Sequence, residues 1–295
     1  MTNQERQITE TSTAPVTTPP LPAPPRRALL DTTVQLDRRK TESRRKKIEA
    51  LLNGFDWKFS TGISLLEFKA TVIQECLTIH NQLRRSGAAF TRVRDALLEK
   101  KGQQISLRAH IFNNVLQVFA GSFDITEEKD RLLAEKARLL LENIIPRLYD
   151  WFAKESVDTV LNAGLDCDRA KEPPRKKTAA FEANIPECKR GKNKFCHVEE
   201  VIREEGPTLL KSLEPHLAAS EQLQRAAEVF QSVFTNPKAD LSHSNCRNAG
   251  DCLSTLEAKG KATHALSSNA KEWKPLSDAL GFEFVLISYL EEKTV

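Results

Sequence analysis

No run of about 20 apolar residues exists in this chain, so a membrane-spanning helix is not expected. The first 27 residues, "MTNQERQITETSTAPVTTPPLPAPPRR", lack an apolar core of the secretory kind, and no signal peptide is read there. Aromatic residues are few, with only two Tyr and three Trp, and no aromatic RNA-binding motif occurs, so recognition by base stacking is not indicated. Charge of one sign is not in excess either. The 44 basic and 40 acidic residues leave a net charge of +4, which does not by itself mark a nucleic-acid binder. The six cysteines are irregularly spaced in a chain of 295 residues, far above the size of a disulfide scaffold. The histidines (His80, His110, His216, His243 and His264 among them) are scattered, and no Ser/His/Asp or Cys/His arrangement stands out, which disfavours nucleophilic catalysis. These absences together lead to the expectation of a soluble, cytoplasmic protein.

What is present begins after a Thr/Pro-rich stretch. Residues 1–26 carry almost no large apolar side chains and are expected to form a disordered tail. One domain is expected over 27–295. "ALL" at 28–30 reads as a short buried strand ending at Asp31, and 38–54, "RRKTESRRKKIEALLNG", as a helix with Ile48, Leu51 and Leu52 on one face. A second strand falls within 56–64 and runs into a helix whose Leu66, Ala70, Ile73 and Leu77 recur at helical spacing, which puts Glu67 in its first turn.

The C-terminal end repeats the pattern. A helix over 248–260 has Asp251 in its first turn, and "ATHALSS" at 262–268 is a strand ending before Asn269. A helix over 270–281, interrupted early by Pro275, and a last strand at 282–288 follow. Strands alternating with helices imply an α/β fold with a mostly parallel central sheet. Between these ends, about 96–240, amphipathic helices predominate, one of them kinked at Pro146, and no strand is evident. That stretch reads as a large helical insertion, and it offers a surface for a homodimer or a protein partner.

Asp31, Glu67 and Asn269 thus fall at or just past the carboxyl ends of strands, where ligands of open parallel sheets bind, and Asp251 joins them if its helix starts at the same rim. Carboxylates gathered there repel unless a hard divalent cation such as Mg²⁺ or Mn²⁺ sits between them. Such a site suits phosphodiester hydrolysis. The competing explanation is that each acid only caps a helix.

These residues resemble the PIN-domain nucleases. "LLDTTVQLD" is similar to that family's opening strand, an apolar run followed by Asp-Thr-x-Val, and "STGISLLEFK" to its second acidic motif. "NAGDCLSTLEAKGKATHALSSNAKEWKPL" and "LGFEFV" resemble its closing region. The likeness covers roughly residues 27–85 and 240–290. It implies a PIN-like α/β/α sandwich acting as a metal-dependent endoribonuclease on RNA, with Asp31, Glu67 and Asp251 as metal ligands and Asn269 in the fourth place. Asn269 is neutral where that family usually has an acid, and Thr33 stands where it often has Asn or Ser. Glu272, three residues on, reads as part of a solvated helix face.

Two further signals remain. The run "RRKTESRRKK" places Arg38, Arg39, Arg44, Arg45 and Lys46 just after Asp31, a candidate contact for an RNA backbone or a plain solvated face. Cys167, Cys188, Cys196 and His197 lie in one loop-rich stretch and could share a structural Zn²⁺, with Cys246 as an alternative to His197. Their spacing is not that of a standard finger. Cys76 and Cys252 sit beside apolar residues on helices and read as core thiols.

Overall fold

The computed structural model describes residues 24–39, 42–85, 88–99, 107–109, 111–113, 127–162, 165, 173–174, 176–177, 180–181, 196–236, 241 and 243–287. The expected tail lies outside them except for 24–26.

The centre is a five-stranded sheet with every pairing parallel. Strand β1, Arg27–Leu30, carries the apolar run Ala28, Leu29 and Leu30, buried on both sides as a central parallel strand requires. It pairs on one side with β2, Trp57–Thr61, and on the other with β6, His264–Ser267. Strand β3, Thr159–Leu161, extends the sheet beyond β2, and β7, Glu283–Leu286, extends it beyond β6. A separate pair of two-residue strands, β4 Lys176–Lys177 and β5 Ala180–Phe181, is antiparallel. The spatial order of the main sheet is β3-β2-β1-β6-β7. The chain therefore winds outward from β1 to β3, then returns and winds the other way, and the reversal falls between β1 and β6.

Strand pleating sends alternate side chains to opposite faces, and both faces are covered. Ala28, Leu30 and Leu266 pack with Val34 of α1 (Thr32–Asp37) and with Ile48 and Leu52 of α2 (Glu42–Leu52). Leu29 and Ala265 face the opposite way, toward Ala258, Trp273 and Phe282. That second layer includes α10, Gly250–Ala258, and α11, Ala270–Leu280, the latter closed by Gly281 in the left-handed region.

After β2, the Thr61 hydroxyl caps α3, Gly62–Phe68, by accepting the Ser64 amide. A π-helical turn, Lys69–Ile73, joins α3 to α4, Gln74–Leu83. Such turns are frequent beside functional sites, and Glu67 lies two residues before this one. Helix α4, α5 (Phe90–Leu98) and α6 (Glu127–Asp150) enclose a core with Phe68, Phe90, Phe112, Ile145 and Phe152 at its centre. A second helical core forms where α7 (Val198–Leu217) and α8 (Glu221–Thr235) pack on α10 and α11, through Ile202, Leu209, Phe230, Leu253 and Leu276. The short α9, His243–Asn248, precedes α10.

Several expectations need correction. The stretch 96–240 is not purely helical, because β3 comes from it and pairs along β2. Helix α11 is not interrupted at Pro275 but runs on through it, with its neighbours Trp273 and Leu276 buried, and Pro146 lies inside the continuous α6. The helix expected over 38–54 is present as α2, and the short α1, starting directly after Asp31, is a helix the sequence reading did not include. Among the described residues, no helix is long and apolar enough to cross a membrane.

Candidate metal centre

The reversal of strand order between β1 and β6 leaves a crevice at the carboxyl ends of the strands, where ligands bind in open α/β sheets. Asp31 follows β1 directly. Glu67 is the sixth residue of α3, one turn later than its expected place, and Asp251 is the second residue of α10. These three elements bring one carboxylate oxygen from each side chain within 4.8 Å of the others.

Each carboxylate is held by side-chain donors. Thr33 Oγ1 and Ser267 Oγ both donate to Asp31 Oδ2, each at 2.6 Å. Thr32 Oγ1 donates to Glu67 Oε2 at 2.7 Å. The Trp273 side chain donates to Asp251. The two hydroxyls on Asp31 are themselves fixed by the loop after β6, because the Ser268 amide donates to Thr33 Oγ1 at 3.2 Å and the Asn269 amide to Ser267 Oγ at 2.9 Å. A further hydroxyl pair, Thr61 and Ser254 at 2.9 Å, ties the end of β2 to α10. Asp31 sits at the N-cap position of α1, and the Thr32 and Thr33 amides of the first turn act on its carboxylate together with the two hydroxyls. Glu67 is too far along α3 to serve as a cap.

The electrostatics follow from this crowding. Burial raises the Asp31 pKa, and the Ser267 and Thr33 hydroxyls and nearby amides pull back against it. Glu67 is pushed up to about 7, first by burial and then by the Asp31 charge, with Thr32 and Arg247 opposing. Asp251 is raised well above its ordinary value, by burial and then by Asp31, Glu67 and Glu272. Three acids that resist ionising beside one another form an oxygen-donor set suited to a hard divalent cation.

Asn269 is half-buried at the N-cap of α11, where its side chain makes no capping bond. Glu272 does not lie on a solvated face. It is 9% exposed, its Oε1 accepts the Ser220 hydroxyl at 2.9 Å, its Oε2 has no hydrogen-bond partner among the described residues, and its charge acts on Asp251. Sequence reasoning also missed the hydroxyl supports. Their signal was present, since Thr32 and Thr33 follow Asp31 directly and Ser267 stands two places before Asn269.

The basic run divides. Arg38 is buried and donates to Glu49, Gln35 and the Ser156 carbonyl, so it fastens α1 to α2 and to the approach to β3 rather than meeting a phosphate. Arg44 is likewise paired inward with the buried Asp37. Arg45 and Lys46 are exposed, and the exposed Arg39 stacks 3.7 Å from the Trp151 ring centroid. Of the zinc candidates, Cys167 and Cys188 lie outside the described residues. Cys196 and His197 are half-buried at the start of α7, with His197 Nδ1 2.6 Å from Glu200 Oε2. Cys196 and Cys246 both pack against the α7–α8–α10 core. Cys76 and Cys252 are buried, as core thiols should be, and burial raises both thiols above their ordinary range.

Comparison with family models, with curated proteins and with solved structures returns no match to the chain.

Proposed function

We propose that this chain is a PIN-like, divalent-metal-dependent endoribonuclease that hydrolyses RNA phosphodiester bonds. The observation that carries the reading is the convergence of Asp31, Glu67 and Asp251 at the switch point, with one oxygen of each within 4.8 Å of the others and hydrogen-bond donors on all three side chains. Helix caps would not need to meet, and three acids set this close, Asp31 buried and Glu67 and Asp251 half-buried, repel one another unless they share a ligand.

In this reading Asp31, Glu67 and Asp251 hold Mg²⁺ or Mn²⁺. When bound, the ion polarises water and phosphate and offsets the charge that builds during hydrolysis. The residues of the chain do the remainder. Thr33 and Ser267 fix the direction of Asp31, Thr32 fixes Glu67, and the Trp273 side chain fixes Asp251, which is the outer-layer support that metal ligands need. Asn269 completes or orients the site. The exposed Arg39, Arg45 and Lys46 are left to hold the RNA backbone, a contribution that salt weakens. A second reading is favoured by Asn269 itself: a neutral side chain in the fourth place suits a weakly active or inactive scaffold that binds RNA or a protein partner through its helices.

The deciding experiment is Mn²⁺ titration calorimetry on wild type and Asp31→Asn, with RNA cleavage assayed in the same samples. The nuclease reading expects binding and cleavage in wild type and the loss of both in the variant. Mn²⁺ binding without cleavage supports the scaffold, and a wild type that neither binds nor cuts removes the metal reading.

A further inference from the structure

We infer that Gly250 is a positioning residue for the metal site, required because only a residue without a side chain leaves room for the Glu67 carboxylate beside Asp251; this rests on the metal-site reading above. A Cβ built on Gly250 would lie 2.5 Å from Glu67 Oε1, 3.7 Å from its carboxyl carbon and 3.4 Å from Ile63 Cγ2. The first of these is closer than real Cβ atoms approach an oxygen. Glu67 therefore occupies the space a side chain at the first residue of α10 would fill.

The reason for glycine here is not backbone conformation. The described glycines in the left-handed region are Gly260 and Gly281, where chain reversal after a helix demands it. Gly250 is in ordinary helical geometry, which alanine adopts readily. Nor does a methyl group there collide with a rigid element. Its nearest neighbour is the tip of a flexible side chain, which can swing away at little expense to the fold. The consequence falls on function instead, because Glu67 Oε2 is anchored by Thr32 and the whole carboxylate must turn or withdraw to clear the methyl. One oxygen then leaves the position it shares with Asp31 and Asp251.

The test is Mn²⁺ titration calorimetry on wild type, Gly250→Ala, Glu67→Gln, Asp251→Asn and the two double variants that add Gly250→Ala to each, with thermal unfolding of each in EDTA. Gly250→Ala is expected to weaken Mn²⁺ binding by about 10- to 100-fold, the usual effect of disturbing the support of a metal ligand, and to melt in EDTA no lower than wild type. Adding it to Glu67→Gln should change affinity little further, whereas adding it to Asp251→Asn should weaken binding again. Binding within about twofold of wild type overturns the inference, as does a melting point well below wild type, which would make Gly250 a packing residue. A wild type that binds no Mn²⁺ overturns it together with the metal reading, and that result is distinguishable from the others because it needs no variant.

Discussion

Glu67→Gln should make the metal-free protein more stable while weakening the proposed cation site. Glu67 is raised from 4.5 to about 7, so the folded state holds its proton more tightly than the unfolded state does. The stability that this proton confers is fully present below about pH 4.5 and is lost as pH rises through about 7. Each pKa unit corresponds to about 1.4 kcal/mol, so keeping Glu67 ionised in the empty site at pH 8 costs about 3 kcal/mol. Glutamine has nearly the same shape, its carbonyl can still accept the Thr32 hydroxyl, and its amide can donate to Asp31 or Asp251. The variant should match wild type at pH 4.5–5 and exceed it by up to about 3 kcal/mol at pH 8, measured by urea unfolding in EDTA with unchanged m. Saturating Mn²⁺ should reverse the order, since a ligand at 100 times its Kd stabilises the protein that binds it by about 2.7 kcal/mol. A variant destabilised equally at pH 5 and pH 8 would refute the reasoning, because Glu67 would then be a structural acceptor for Thr32 and not a ligand held against repulsion.

Mn²⁺ affinity should fall as pH drops below about 7, by up to about tenfold per unit for each proton displaced; titrations in buffers of different ionisation heat should reveal proton release, and a pH-independent affinity would exclude these acids as ligands. Ser267→Ala removes one of two hydroxyls on Asp31 Oδ2 and is expected to lower Mn²⁺ affinity by about 10- to 100-fold, with little change in the far-ultraviolet circular dichroism spectrum. Arg38→Ala leaves Glu49, Gln35 and a buried carbonyl without their donor and should cost about 3 kcal/mol of stability. Arg45→Ala should shift stability by no more than about 0.5 kcal/mol and instead lower the salt dependence of RNA binding, read as the slope of log affinity against log salt.

The acids were legible because strand and helix periodicities differ. "ALL" before Asp31 and "ATHALSS" before Asn269 place those two residues at strand ends, and the helical spacing around Glu67 places it on the helix that follows a strand, without any knowledge of contacts. What the sequence hid is what distant parts of the chain decide. Strand β3 is three residues long and has no signature of its own; its extended form comes from the free edge of β2, where Ser60 and Val160 pair. Glu272 reads as solvated on the pattern of its own helix, and is buried with its Oε1 bonded to Ser220 at the N-cap of α8, 52 residues earlier. Arg38 and Arg44 look like surface charge in a basic run, but Glu49, Asp37 and the Ser156 carbonyl draw them inward. A periodicity describes one element's faces and is silent on which neighbour arrives to cover them.

The same distinction explains why so much helix surrounds so small a site. Three carboxylates that repel each other must be held together before a cation reaches them, and no local interaction supplies that restraint. Ile63 of α3 packs into the core of α7, α8 and α10, while Leu65 and Phe68 of the same helix pack into the core of α4, α5 and α6, so the helix bearing Glu67 is clamped from both sides. Asp251 rides on α10, whose Leu253 and Leu256 are buried against α7 and α8. Asp31 is fixed by the sheet itself. Burying a leucine-sized side chain contributes about 1.5–3 kcal/mol, so a few such contacts on each helix outweigh the several kcal/mol of repulsion at the centre. The helical stretch between Glu67 and Asp251 is therefore the mechanical support of the acid cluster, holding the three carboxylates together against a repulsion that, in the proposed metal reading, a cation would relieve.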